Sequence, residues 1–139
     1  MLVRDIANRD VVTIAASATV RAAAERMVER NVGSLVILND EETPTGMLTD
    51  RDIVTRAVAP GLDLDATQVH AIMGRPVVSV RETANIETAL GCMTFGVRRI
   101  PVVNSDEQLV GIVSLDDFLL MYSDEFDQVR RLLRKELAR

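Results

Sequence analysis

Two phrases in this chain set a hydroxyl and a carboxylate at one spacing: Gly46-Met47-Leu48-Thr49-Asp50-Arg51-Asp52 and Gly111-Ile112-Val113-Ser114-Leu115-Asp116-Asp117. In both, a short apolar run leads into the hydroxyl and a helical pattern follows it. Thr49 and Ser114 therefore stand at strand-to-helix junctions. The free N–H groups and dipole at a helix start favour an anion such as phosphate. An ionised carboxylate one turn in, Asp52 or Asp117, can accept hydrogen bonds from two neighbouring hydroxyls. A ribose 2′,3′-diol presents such a pair, and acidic residues serve it in dinucleotide folds. The same spacing is that of a capping box, which needs no ligand. Both readings stand, and a duplicated motif duplicates its caps as well as its sites.

Arg98-Arg99 is the second signal, placed directly before the apolar run Ile100-Pro101-Val102-Val103. Arginines at a strand edge can clamp phosphate bidentately; the alternative is a solvated pair offsetting an acidic chain. The sequence matches Val32 and Gly33 to these positions in the first copy, which would leave two related clefts electrostatically unequal. Arg51 is within reach of the same chemistry, although a helix-face ion pair is the commoner outcome. His70 and Cys92 are the only residues of their kinds. No triad, histidine-based metal site or disulfide can be assembled around them, and Cys92 reads as core filler beside Leu90 and Met93. There is no Walker or GxGxxG glycine loop and no carboxylate metal spacing. With no nucleophile–base pair to name, the expectation is a protein that is not an enzyme.

The elements that must position these residues also occur twice. Met27 and Met93 stand 66 positions apart, Gly46 and Gly111 stand 65 apart, so the copies differ by one loop residue. Val20, Ala23, Ala24, Met27 and Val28 fall on one helical face, with Thr19 as a cap. Each copy reads β-α-β-β-α. In the first, strands run over 10–14, 35–38 and 46–48, and helices start near Thr19 and Asp50. In the second, strands run over 77–80, 100–103 and 109–113, and helices start at Asn85 and Leu115. A long period present only twice does not make a solenoid, which needs at least about three units. It predicts an α+β fold of two half-domains packed face to face about a pseudo-twofold axis: residues 1–60, residues 61–122, then a C-terminal amphipathic helix over 123–139. In that tail Phe126, Val129, Leu133 and Leu137 share one face.

The chain has 139 residues, 47% of them hydrophobic and only 3% aromatic, which predicts an aliphatic core and argues against disorder. Neither copy alone buries enough surface to be secure. A formal net charge of −5 disfavours a general nucleic-acid surface. No secretory pattern and no membrane-spanning apolar run is seen, and a cytoplasmic setting is expected.

With the duplicated phrases in hand, the chain resembles a tandem pair of CBS (cystathionine-β-synthase) domains over roughly residues 1–122. The match rests on Gly46–Ile53, Val97–Val103 and Gly111–Phe118, and is most similar to small stand-alone prokaryotic pairs. The resemblance implies two clefts between the repeats that hold adenosine compounds: AMP, ADP, ATP, S-adenosylmethionine, sometimes NAD. By position it implies that Asp117 takes the ribose, that Ser114, Arg98 and Arg99 lie near the phosphates, and that Val12, Thr13, Val32 and Gly33 wall the adenine. For the related cleft it implies Asp52 for ribose, Thr49 for phosphate, and Val78, Ser79 and Val97 as the adenine wall. It further implies a homodimer signalling to a separate protein partner. The competing expectation is a ligand-free homodimeric scaffold.

Overall fold

The computed structural model describes residues 1–74, 77–93 and 97–138. Its elements are α1 (Val3–Ile6), β1 (Thr13–Ala15), α2 (Val20–Arg30), β2 (Ser34–Leu38), β3 (Pro44–Thr49) and α3 (Asp50–Ile53). A π-helical turn, Val54–Val58, extends α3. The second half holds β4 (Val80–Arg81), α4 (Ile86–Gly91), β5 (Arg99–Val103), β6 (Leu109–Ser114) and α5 (Leu115–Leu137). The β-α-β-β-α order recurs as expected, and the fold is α+β.

Each half forms a three-stranded sheet with the same plan. The first strand pairs parallel to the second, and the second pairs antiparallel to the third. The central strands β2 and β5 are covered on both faces, which explains why their sequences are continuously apolar rather than alternating. Even the irregularities repeat: the register slips at Ile37/Leu38 and at Val102/Val103.

The two central strands differ at one backbone donor. The N–H of Val36 donates to the carbonyl of Val12 (3.1 Å). The corresponding residue of β5 is Pro101, which has no N–H to give. This accounts for the shorter entry strand of the second half, where β4 begins at Val80 while β1 begins at Thr13.

The segment ahead of each repeat packs on the other half. Val3 lies in the core of the second half with Val80, Ile86, Ile100 and Phe118. Val69, Ile72 and Met73 lie in the core of the first. The hydrogen bonds obey the same exchange. Val3 N–H donates to Ala84 O and Val69 N–H to Ala18 O, both at 2.8 Å. Isolated bridges pair Asn8 with Ile112 and Gly74 with Met47. These crossed arms explain the motif glycines, because a Cβ on Gly111 would stand 3.0 Å from the Asn8 carbonyl oxygen. On Gly46 it would meet the Met73 sulfur at 2.5 Å and the Gly74 oxygen at 3.2 Å. Gly46 and Gly111 are thus sites of close backbone approach between halves.

The tail is not a separate element. Helix α5 runs unbroken from Leu115 to Leu137, so the expected 123–139 segment continues the helix that starts at Ser114. Among the described residues no helix is long and apolar enough to cross a membrane.

Candidate functional site

Both hydroxyl–carboxylate pairs close as reciprocal caps. The Asp117 N–H donates to Ser114 Oγ (3.2 Å) and the Ser114 N–H donates to Asp117 Oδ2 (2.8 Å). The Asp52 N–H donates to Thr49 Oγ1 (3.1 Å) and the Thr49 N–H donates to Asp52 Oδ2 (2.9 Å). The capping reading is therefore correct at both junctions. It does not exhaust the carboxylates, since an ionised carboxyl offers about four acceptor positions and each cap uses only Oδ2.

The second oxygen separates the two copies. Asp52 Oδ1 lies 3.9 Å from Arg56 Nε, one helical turn on. Arg56 is fixed in turn by donating to the carbonyls of Ile72 (3.2 Å) and Met73 (3.5 Å). At the matching place in α5 stands Met121, so Asp117 Oδ1 faces no cation among the described residues. Arg56 was legible at i+4 from Asp52, but only the fold shows that the linker carbonyls hold it there.

The arginine pair sits where the strand enters. Arg99 pairs with Ser114 across β5 and β6, and the N–H of Leu115 donates to the Arg98 carbonyl (2.8 Å). In the first half Ser34 pairs with Thr49, and the N–H of Asp50 donates to the Gly33 carbonyl (3.0 Å). The counterparts of Arg98 and Arg99 are thus Gly33 and Ser34. This corrects the alignment with Val32 and Gly33 by one residue; Val32 corresponds to Val97. The one-residue difference falls between the first helix of each copy and this point, which shifts the register without touching the motifs on either side.

Arg21, Arg30, Arg56, Arg81 and Arg130 each stand against a carboxylate. Arg98 and Arg99, like Arg4, Arg9, Arg51, Arg131 and Arg134, have no ion-pair partner and no side-chain hydrogen bond among the described residues. They line a cavity of about 280 Å³ with Ser114, Leu115 and Asp116. Arg99 also lines an adjoining cavity of about 330 Å³. Its opposite wall comes from the first half: Val12, Val32, Gly33 and Val36. The tertiary fold thus brings Val12, Val32, Gly33, Arg98, Arg99 and Ser114 to one interface between halves. Asp117 stands one turn into α5 from Ser114. Thr13 lies in β1 beside Val12, its carbonyl accepting from Arg26 at 2.5 Å.

Val78 and Ser79 lead into β4 and Val97 into β5, all partly or fully exposed. They flank Arg75, Pro76 and residues 94–96, which lie outside the described residues. Thr49 and Asp52 open α3. Asp50 occupies the place that Leu115 has in the second half, and its carboxylate lies 3.2 Å from where a Gly33 Cβ would be. One place on, the signs reverse, Arg51 standing where the second half has Asp116, so the clear difference between the halves is Gly33 and Ser34 in place of Arg98 and Arg99. Motif spacing alone does not single out Asp50; its signal is the Asp-for-Leu difference between the two motifs.

Comparison with known proteins agrees with this architecture. A family model for the CBS domain matches residues 3–59 and again 69–124. Hypoxic response protein 1 of Mycobacterium tuberculosis is 39% identical over 115 residues, covering 82% of this chain and 80% of that protein. An uncharacterised protein of Methanopyrus kandleri is 36% identical over 118 residues; the match covers 84% of this chain but only 60% of that longer protein. Among solved structures, Hypoxic Response Protein I with two coordinated zinc ions superposes with a TM-score of 0.77 at 37% identity, covering 86% of this chain and 97% of the other. A CBS domain protein from Pyrobaculum aerophilum, complexed with AMP, gives a TM-score of 0.74 at 29% identity, covering 84% and 89%. Among the described residues of the present chain, no group of three or more His, Cys, Asp or Glu is placed to hold a metal. The duplicated motif, the crossed arms and the two family matches lead to one conclusion: this chain belongs to the CBS domain family, as a tandem pair of repeats.

Proposed function

We propose that this protein is a regulatory, non-catalytic module that binds an adenine nucleotide in the cleft between Asp117 and the Val12–Val32 wall. The observation that carries the reading is the unpaired Arg98-Arg99 couple at the start of a capped helix, facing apolar residues of the other half. In a protein of net charge −5, two adjacent arginines that form no ion pair among the described residues, beside cavities that also carry Asp116 and Asp10, are suited to an anionic ligand. Charge-assisted bidentate bonds from guanidinium to phosphate are the strong kind. The AMP complex of the Pyrobaculum aerophilum relative supports the same ligand class here. In this reading Arg98, Arg99 and Ser114 take the phosphate, and Asp117 Oδ1 takes the ribose hydroxyls while Oδ2 keeps the cap. Val12, Thr13, Val32 and Gly33 hold the base.

The Asp52 cleft would take a different ligand. Gly33 and Ser34 supply no guanidinium where the second half has Arg98 and Arg99, and Arg56 stands beside the second oxygen of Asp52. An uncharged or cationic adenosine, S-adenosylmethionine being the example, fits that field better than ATP. Occupancy is read out through the angle between halves in a homodimer, to a separate partner. The signal is limited to the ligand's difference in affinity for the two arrangements.

The test is a thermal-shift panel on nucleotide-stripped protein with AMP, ADP, ATP and S-adenosylmethionine, alongside an Arg98→Ala/Arg99→Ala variant. A ligand at 100 times its dissociation constant adds about 2.7 kcal/mol, or roughly 5–10 °C at this size. A shift present in the native protein and lost in the variant supports the reading. A flat panel would replace it with a ligand-free interaction scaffold.

A further inference from the structure

Helix α5 leaves the body of the protein about a third of the way along its length. Phe118 is buried in the second core, and Met121 and Tyr122 pack at its margin. From Ser123 onward the side chains are exposed apart from Asp127, which pairs with Arg130 on its own helix (2.7 Å). Phe126 is 75% exposed and Leu137 84%. About four turns of helix therefore project with large apolar side chains in water. A helix of this length is marginal in isolation, so its apolar face calls for a partner.

Leu119, Tyr122, Phe126, Val129 and Leu133 recur at alternating steps of three and four. This is the a/d seam of a left-handed coiled coil, with Leu119, Phe126 and Leu133 at a and Tyr122 and Val129 at d; the next d position is Glu136, so the apolar seam ends at Leu133. The flanking positions then identify both the partner and its direction. In a parallel pair each g residue meets the e residue five places on in the other helix. Glu125 would face Arg130 of the second copy, and Leu132 would face Leu137 of the second copy. Charge meets opposite charge, and apolar meets apolar. In an antiparallel pair e meets e and g meets g. The registers that close this seam put Arg130 opposite its own counterpart, or Glu125 opposite Leu132. Asp124, Glu125, Asp127 and Glu136 oppose an anionic lipid surface.

We propose that the protruding part of α5 forms a parallel two-stranded coiled coil with the same segment of a second copy of this chain. The proposal rests on the homodimer and is independent of nucleotide binding. It is tested with single cysteines in the full-length, nucleotide-free protein, using Cys92→Ser/Val129→Cys and, as an outward-facing control, Cys92→Ser/Arg131→Cys. Mild copper-catalysed oxidation is expected to link copies through position 129 and not through 131. Glu125→Lys should weaken self-association about fivefold, from two symmetry-related pairs, and Glu125→Lys/Arg130→Glu should restore it. A dimer in sedimentation that does not cross-link at 129, or links equally at 131, overturns the seam and leaves the homodimer standing. A monomer overturns both.

Discussion

At Thr49 and at Ser114 the chain makes the same reciprocal cap, with the same atoms and nearly the same distances. Around that shared frame the two repeats have diverged. Asp52 has Arg56 beside its second oxygen, where Asp117 has Met121 along the helix. Gly33 and Ser34 stand where the second half has Arg98 and Arg99, and Asp50-Arg51 stand where it has Leu115-Asp116. Conserving the cap keeps both helix starts folded, while the surrounding charges set what each cleft attracts. A duplicated domain can in this way keep one architecture and hold two different electrostatic fields.

The comparison breaks most readily at the arginine pair. Removing both in Arg98→Ala/Arg99→Ala deletes two charge-assisted contacts of about 1.5–3 kcal/mol each. We expect at least a hundredfold loss of nucleotide affinity by calorimetry. Because neither arginine is paired in the fold, the melting temperature of the free protein should hardly move. Equal affinity in the variant would sink the assignment of phosphate to this side.

The carboxylates give the next largest contrast. Asp117→Ala should abolish binding at the Asp117 cleft and also cost about 1 kcal/mol of stability through its cap. Asp52→Ala should show the stability cost while leaving nucleotide affinity at that cleft unchanged. Two variants that lose affinity equally would mean that the clefts are not distinct in the way described.

The crossed arms sharpen the same comparison structurally. Gly111→Ala drives a Cβ to within 3.0 Å of a backbone oxygen, and overpacking of this kind costs about 1–3 kcal/mol. Gly46→Ala first meets the Met73 sulfur, the end of a flexible side chain that can swing aside. Chemical denaturation should therefore rank Gly111→Ala as the more destabilising. The smallest effect is expected from the caps alone: Thr49→Ala should lower stability by about 1 kcal/mol with no change in the Asp117 cleft.

Much of this molecule follows from short-range pattern. Helical spacing fixed α2, the hydroxyl and carboxylate three apart fixed the starts of α3 and α5, and the unbroken apolar runs marked β2 and β5 as fully covered strands. These are properties of a residue and its near neighbours along the chain, so they can be read without knowing what lies across from them. The repeat then supplied the pseudo-symmetry, because equal local patterns fold into equal local structures.

What the tertiary structure decided depends on partners distant in the chain. Nothing around Val3 says that it belongs to the second half, since a buried valine in a four-residue helix suits either core. Nothing around Arg98 fixes its counterpart, because a one-residue difference in a loop leaves every periodicity intact and only cross-strand pairing reveals the slip. That Asp52 is held by Arg56, and Arg56 by the carbonyls of Ile72 and Met73, required the arm to be folded back over the first half. Local chemistry determined which elements form and how they are capped. Long-range packing determined which charges remain unpaired, and those unpaired charges distinguish the two clefts.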